Sequence, residues 1–142
     1  MILPDVNVLI YAFRKDAPHH DVCKPWLEKV AGDDAQFGMS PLVLSALARI
    51  VTNPRVFREP SAIEEAFVFC DSLMSRPNCE LVQPGPRHWA IFTRICIAAS
   101  VRGARVSDAW FAALAIESAC TWITYDRDFA RFSGLEWREP GL

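Results

Sequence analysis

The start of the chain decides its fold, and residues 2–13 read ILPDVNVLIYAF. The apolar run Ile2–Pro4 has the length of a short buried strand, and it stops at Asp5. Apolar residues then recur at helical spacing, so that one face of the next segment carries Val8, Leu9, Ala12 and Phe13. The stretch predicts a strand, an acidic residue at its carboxyl end, and a helix.

The rest of the chain alternates short apolar runs with helical stretches. Strands are predicted at 35–39, 80–82, 122–124 and 135–137. Helices are predicted at 19–30, at 41–51 after a capping Ser40, at 61–73 with Ser61 and Glu64 as a capping box, at 87–101, and from Asp108 with Ser107 as its cap. This order is typical of a parallel sheet covered on both faces. We therefore predict an α/β fold with three layers, α/β/α, and a mainly parallel central sheet.

Composition predicts one globular domain that spans residues 1–142. Hydrophobic residues make up 51% of the chain and charged residues 23%, which is ordinary for a folded domain. The net charge of −2 excludes a polycation that binds nucleic acid by bulk charge. Any nucleic acid must be held locally, for which the arginines that flank predicted loops, Arg105 and Arg127 among them, are suitable. Solvated surface charge explains most of these arginines equally well.

Cysteine, histidine and tryptophan residues give no sign of a site. The five cysteines lie far apart in apolar surroundings, as buried free thiols do, at Cys23, Cys70, Cys79, Cys96 and Cys120. The histidines lack partners at ligand spacing and are predicted to lie at the surface; they are His19, His20 and His88. The tryptophans are assigned to core packing rather than to base stacking, at Trp26, Trp89, Trp110 and Trp122.

The chain is predicted to be cytoplasmic and to have no membrane partner. Charged residues and prolines interrupt every apolar stretch well short of the ~20 residues that a membrane helix needs. Asp5 lies where a signal peptide would need uninterrupted apolarity, and no basic region precedes it.

Three acidic residues are predicted to meet at one edge of the sheet. Asp5 and Asp126 directly follow predicted strands, and sites in open parallel sheets lie beyond the carboxyl ends of strands. Asp108 is predicted to begin a helix after an Arg/Gly-rich turn, and on the same edge it would join the other two. Clustered carboxylates repel one another unless a cation neutralises them. Oxygen donors alone indicate Mg²⁺ or Mn²⁺ rather than zinc.

Each acidic residue also has a purely structural explanation. Asp5 would serve as a helix cap. Asp108 would complement a helix dipole. Asp126 and Asp128 would form a turn after a strand. None of these positions is diagnostic alone, so the prediction of a metal site depends on their combination.

Three blocks of sequence together resemble a known family. They are LPDVNVLIYA (3–12), SPLVLSALARIVTNPRVF (40–57) and VSDAWFAALAIESACTWITYDRDFARFSGLEW (106–137). The chain resembles a PIN-domain ribonuclease of the VapC type, the toxin of a bacterial VapBC toxin–antitoxin pair. The resemblance implies a PIN-like fold in which Asp5, Asp108 and Asp126 are catalytic metal ligands. It also makes Asp128 an auxiliary ligand, with Asn7 and Thr124 as supporting hydrogen-bond partners.

One position departs from the family's pattern. Many PIN domains carry a Glu three residues before an Arg on the helix after the second strand. Here Ala46 precedes Arg49 at that spacing, and the neighbouring Ser45 offers a hydroxyl but no charge. We therefore expect weaker metal binding, with a single Mg²⁺ and more water ligands in place of two metals.

The resemblance implies an activity and partners. It implies attack of a metal-bound water on an RNA phosphate, with Mg²⁺ as the cofactor and Mn²⁺ as a substitute. It further implies a homodimer and a cognate VapB-like antitoxin whose tail enters the groove. The first alternative is a catalytically weakened PIN scaffold that binds RNA or antitoxin, because the Glu is missing. The second is a phosphoryl-transfer enzyme of another doubly wound fold, which the DVN motif and the lack of any Lys after Lys29 disfavour.

Overall fold

The computed structural model describes residues 1–141, which form five short strands and six α-helices. The strands are β1 (Ile2–Pro4), β2 (Phe37–Met39), β3 (Cys79–Leu81), β4 (Thr121–Ile123) and β5 (Trp137–Arg138). The helices are α1 (Val6–Phe13), α2 (His20–Gly32), α3 (Pro41–Val51), α4 (Ile63–Met74), α5 (His88–Ala99) and α6 (Ala104–Glu117). A 3₁₀ turn at Arg127–Arg131 lies between β4 and β5.

Every strand pairing is parallel. One sheet has the order β1-β4-β5 and the other pairs β2 with β3. Strand β2 also lies against β1, and an ideal Cβ built on Gly38 of β2 would come within 3.2 Å of the Ile2 carbonyl oxygen. Helix α1 packs against α2 and α3, and α5 packs against α6. The predicted α/β fold with a parallel sheet is confirmed.

The core is built where the sheet meets the helices. Trp122 in β4 is fully buried, and its ring stacks on Phe111 of α6 at 5.7 Å. Phe129 and Phe132 are each 3% exposed and fix the segment after β4 to this core. The assignment of Trp89 to the core is wrong, because this side chain is 65% exposed on α5. Within residues 1–141, no helix is both long and apolar enough to span a membrane.

The prediction for His88 is also wrong. This residue begins α5 and is 2% exposed, whereas the sequence predicted a surface position. Its Nε2 lies 2.9 Å from the Trp110 carbonyl oxygen, and its ring packs edge-on against the Trp110 ring. A backbone partner and aromatic neighbours make burial of a histidine tolerable.

The capping box predicted at Ser61 does not form. Helix α4 begins at Ile63, and its N-cap residue Ala62 makes no side-chain capping bond. The Ser61 hydroxyl instead accepts a 2.9 Å hydrogen bond from Nη1 of the buried Arg14. The same nitrogen also donates to the Glu59 carbonyl, so Arg14 ties the loop before α4 to the end of α1.

Helix α6 begins one turn earlier than predicted. Its N-cap residue is Gly103, with a φ of 61° that glycine adopts readily, and the helix continues through Ala104 and Arg105. Ser107 is therefore not a cap, and Asp108 is the fifth helical residue rather than the first. The extra turn places Arg105 three residues before Asp108 on the same face of the helix.

Candidate metal centre and active site

The parallel pairing of β1 with β4 places Asp5 beside Thr124. Pro4 pairs with Ile123 at the ends of the two strands, so the next residue of each strand emerges at the same edge of the sheet. The Asp5 backbone N–H donates to the Ile123 carbonyl at 2.9 Å, which extends the pairing one residue beyond the strands. The first predicted acid therefore lies next to the segment that carries Asp126.

The carboxylate of Asp5 is held on both oxygens. Oδ1 accepts a 2.6 Å bond from the backbone N–H of Val6, so Asp5 is also the N-cap of α1. Oδ2 accepts from the Thr124 hydroxyl at 2.7 Å and from the Asn7 amide at 3.2 Å. Asp5 can thus cap α1 and also be a candidate metal ligand.

Thr124 connects Asp5 to the backbone of Asp126. Its hydroxyl oxygen accepts bonds from the Asn7 amide at 3.1 Å and from the backbone N–H of Asp126 at 3.0 Å. The side chain is fully buried. Because one hydroxyl serves three partners, Asp5, Asn7 and the start of the Asp126 turn have fixed relative positions.

Asp5 is a buried acid that makes no ion pair among the described residues. It is only 8% exposed, and burial is the main cause that raises its pKa from 3.8 to about 6. The hydrogen bonds from Thr124 and Val6 oppose this shift, whereas the negative charges of Asp108 and Asp126 add to it. A buried carboxylate in these surroundings is a suitable ligand for an added cation.

The other acids share the cation Arg105, and Asp128 also lies 3.9 Å from Nη2 of Arg131. Its Nη1 lies 3.0 Å from Oδ2 of Asp108 and 3.3 Å from Oδ2 of Asp126. Its Nη2 pairs with Oδ2 of Asp128. The hydrogen bond to Asp108 is the main cause that raises the pKa of Arg105, so the guanidinium remains charged. The predicted acidic cluster has a basic partner that the sequence did not reveal.

The structure therefore brings the predicted site residues to one edge, but in two linked groups. Asp5, Asn7 and Thr124 form the buried group, and the Arg105-bound acids form the more exposed one. Among residues 1–141, no group of three or more His, Cys, Asp or Glu side chains is arranged to hold a metal ion. Arg105 was missed because its i,i+3 relation to Asp108 depends on the earlier start of α6.

The position of the absent Glu faces α6 across a groove. Ala46 and Arg49 of α3 line this groove together with Ser107, the residue before Asp108. The groove has a volume of roughly 330 Å³ and further lining residues Leu42, Ser45, Trp110 and Phe111. Ala46 contributes no carboxylate to this groove.

The donor set fits a hard divalent ion in its chemistry. The candidate ligands are the carboxylates of Asp5, Asp108, Asp126 and Asp128, all of them oxygen donors of the kind that Mg²⁺ and Mn²⁺ prefer. The Asn7 amide and the Thr124 hydroxyl orient Asp5 from behind, as supporting groups around metal ligands commonly do. In this structure, however, the guanidinium of Arg105 occupies the position between Asp108 and Asp126 that a metal ion would take.

Comparisons with known proteins find relatives that match nearly the whole chain. The model of the PIN domain family matches residues 2–135. Ribonuclease VapC43 of Mycobacterium tuberculosis is 41% identical over 140 residues, which cover 99% of this chain and 95% of that protein. Ribonuclease VapC25 of the same organism is 36% identical over the full length of both chains.

A solved structure shares the fold at lower sequence identity. It is VapBC2 from Rickettsia felis bound to a DNA fragment from its promoter, with a TM-score of 0.71 and 20% identity over 99% of each chain. At 20% identity, this structure shows a shared fold. The family match and the two ribonucleases show similarity of sequence. The chain belongs to the PIN-domain family, among the VapC ribonucleases.

Proposed function

We propose that this chain is a Mg²⁺-dependent endoribonuclease and the toxin of a type II toxin–antitoxin pair, neutralised by a cognate VapB-like antitoxin. The observation that carries the proposal is the hydrogen-bonded link from Asp5 through Thr124 to Asp126, beside Asp108. The identity to VapC ribonucleases over the whole chain supports RNA as the substrate. The proposal also includes a VapB-like antitoxin as partner and a homodimer, as the resemblance to VapC toxins implies.

The residues of the chain have separate tasks in this proposal. Asp5, Asp108 and Asp126 hold the ion, Asp128 assists them, and Thr124 and Asn7 keep Asp5 oriented. When bound, a divalent ion would polarise a phosphate oxygen and lower the pKa of a water molecule. Since Ala46 replaces the usual Glu, a single ion with several water ligands suits this site.

A second candidate function is a binding module without strong catalysis. Two observations favour it: Ala46 supplies no carboxylate, and Arg105 already neutralises Asp108 and Asp126. Such a module would bind RNA or antitoxin through the same groove. Cleavage assays separate the two candidates, because only the nuclease requires intact carboxylates and Mg²⁺.

The test is cleavage of structured RNA by the purified chain in Mg²⁺ and in EDTA. Asp108→Asn is expected to lower the rate by roughly 100-fold or more, because it removes a ligand of the cation that would stabilise the transition-state charge. Asp34→Asn, an exposed acid far along the chain from the site, is the matched control and keeps the wild-type rate. Equal cleavage by wild type and Asp108→Asn, or equal rates in Mg²⁺ and EDTA, would contradict the proposal.

Expression in a bacterial host tests the toxin assignment separately from the nuclease. Wild-type chain is expected to arrest growth, and Asp108→Asn is not. Co-expression of a short neighbouring gene for a DNA-binding protein should restore growth. A chain that cleaves RNA in vitro but leaves growth unaffected would be a nuclease without the toxin role.

A further inference from the structure

The Arg105 guanidinium lies among three carboxylates. Nη1 lies between Oδ2 of Asp108 and Oδ2 of Asp126, at 3.0 Å and 3.3 Å, and Nη2 pairs with Asp128. These carboxylates come from two elements, α6 and the turn after β4. Arg105 is therefore the group that now holds the two elements together at the acidic edge.

We propose that Arg105 competes with the divalent ion: it occupies the carboxylates of Asp108 and Asp126 in the metal-free protein and must swing out before the ion binds. The inference rests on the metal site of the proposed function. It makes Arg105 a residue that sets the metal affinity and does not contact the reacting atoms. Arg105 blocks these carboxylates until the metal concentration is high enough to displace it.

Distances show why both cations cannot share the site. Mg²⁺ binds carboxylate oxygens at roughly 2.0–2.1 Å and demands near-octahedral geometry. Here the oxygens of Asp108 and Asp126 lie around a guanidinium nitrogen at 3.0 Å and 3.3 Å. For these oxygens to converge on a small ion, the nitrogen between them must leave.

Charge and position make the displacement feasible. The Arg105 side chain is 35% exposed and lies on the second residue of α6, directly after the turn at Gly103. It can therefore reach solvent by changing rotamer, without movement of the helix. The Arg105 guanidinium carries a single positive charge opposite the carboxylates of Asp108 and Asp126, whereas a divalent ion carries twice that charge. Asp128 also pairs with Arg131, at 3.9 Å. Loss of the arginine's proton is no route out, because a guanidinium is not deprotonated in proteins.

Competition of this kind has a defined effect on affinity. The apparent dissociation constant equals the intrinsic constant divided by the fraction of molecules in which Arg105 is out. Removing the guanidinium raises that fraction to one and must tighten binding. Had Arg105 instead supported the metal site, for example by fixing Asp108 for coordination, its removal would weaken binding.

Isothermal titration of Mn²⁺ into the purified chain tests the inference without any activity assay. Arg105→Gln is expected to lower the apparent dissociation constant by about tenfold, the change that follows if Arg105 is docked in about nine of ten molecules. The matched control is Arg102→Gln, which removes the same charge from an exposed residue three positions earlier. It is expected to change the constant by less than about twofold, because exposed charges are strongly screened.

A second variant covers the case in which Arg105→Gln folds poorly without metal. Arg105→Lys keeps the charge, but one ammonium cannot bridge three carboxylates as a planar fork does. Its Mn²⁺ affinity should lie between those of wild type and Arg105→Gln. The rise in Tm on adding Mn²⁺ should follow the same order.

The outcomes separate this inference from the proposed function. Binding to Arg105→Gln that equals or is weaker than binding to wild type overturns the inference while leaving the metal site intact. No Mn²⁺ binding by any of these proteins overturns both. Tighter binding by Arg105→Gln together with no RNA cleavage by any of them would support the inference and reject the nuclease.

Discussion

The hydroxyl of Thr124 donates a 2.7 Å hydrogen bond to Oδ2 of Asp5, across 119 positions of the chain. This bond joins the carboxyl ends of β4 and β1 at the point where the strands stop. The same hydroxyl accepts from the Asp126 backbone, so one buried side chain sets the spacing of two candidate ligands. The first and fourth strands thus hold two of the candidate ligands at one edge of the sheet.

Thr124→Val should damage the site while preserving its shape. Valine fills the same volume but leaves the Asp5 carboxylate and the Asp126 N–H without their partner. We expect RNA cleavage to fall by roughly 10–100-fold, the usual effect of losing a group that orients a metal ligand. Thr124→Ser keeps the hydroxyl and should retain most of the rate. A Val variant as active as the Ser variant would show that this bond does not position the site.

Metal-free protein should lose stability as pH rises from about 4 through 6. Burial raises the pKa of Asp5 from 3.8 to about 6, so in this window the folded chain keeps a proton that the unfolded chain has lost. Ionising Asp5 therefore destabilises the folded state. Across this pH window the ionisation of Asp5 lowers the free energy of unfolding by roughly 3 kcal/mol. Urea titrations in EDTA measure this change.

Asp5→Asn should not show this fall in the free energy of unfolding between pH 4 and 6, because asparagine does not titrate. Asp34→Asn keeps it and serves as the control, since Asp34 is exposed. Parallel stability profiles for wild type and Asp5→Asn between pH 4 and 6 would mean that Asp5 ionises as freely as it does in the unfolded chain.

Ala46→Glu should strengthen metal binding. Position 46 lines the groove that Ser107 also lines, so a glutamate there would approach the Asp108 end of the site. We expect Mn²⁺ affinity to rise on the order of tenfold, because a nearby carboxylate adds at least ~1 kcal/mol of attraction to a divalent ion. Val68→Glu adds the same charge on the exposed side of α4 and should leave the affinity unchanged. Equal effects of both substitutions would attribute the gain to net charge alone.

Gly38→Ala should destabilise the sheet. An added Cβ would lie 2.8 Å from Cγ2 of Val82 and 3.2 Å from the Ile2 carbonyl oxygen, both closer than normal contact. The expected cost is about 1–3 kcal/mol in the free energy of unfolding. Gly32→Ala, at the end of α2, meets nothing within 4 Å and should be neutral or stabilising by up to about 1 kcal/mol. Thermal unfolding of the pair tests whether β2 lies tightly against β1.

The order and type of the elements were predictable because the apolar spacing is strong. Residues 2–13 specified β1, Asp5 and α1, and Ser40–Pro41 specified the start of α3. The start of α6 was not predictable, because Ser107 looks like a cap and Gly103 gives no comparable signal in sequence alone. Ser61 was misassigned for a related reason: a distant residue, Arg14, binds the hydroxyl that local spacing assigned to the helix end.

The acids of the candidate site were predictable, but their cation was not. Strand ends and motif spacing pointed to Asp5 and Asp126 without any structure. The ion pairs of Arg105 depend on the start of α6 and on the approach of the turn after β4, which are tertiary features. From residue spacing alone, a metal ion was the only cation predicted to neutralise these carboxylates. In the fold, Arg105 of the chain itself neutralises them.

Anomalous diffraction from crystals grown with saturating Mn²⁺ would test the central claim most directly. We expect one strong peak bounded by the carboxylates of Asp5, Asp108 and Asp126, with the Arg105 side chain turned away from Asp108. A peak elsewhere, or Arg105 still paired with Asp108 and Asp126 in a crystal that holds Mn²⁺ at another position, would contradict the claim that these acids form the metal site.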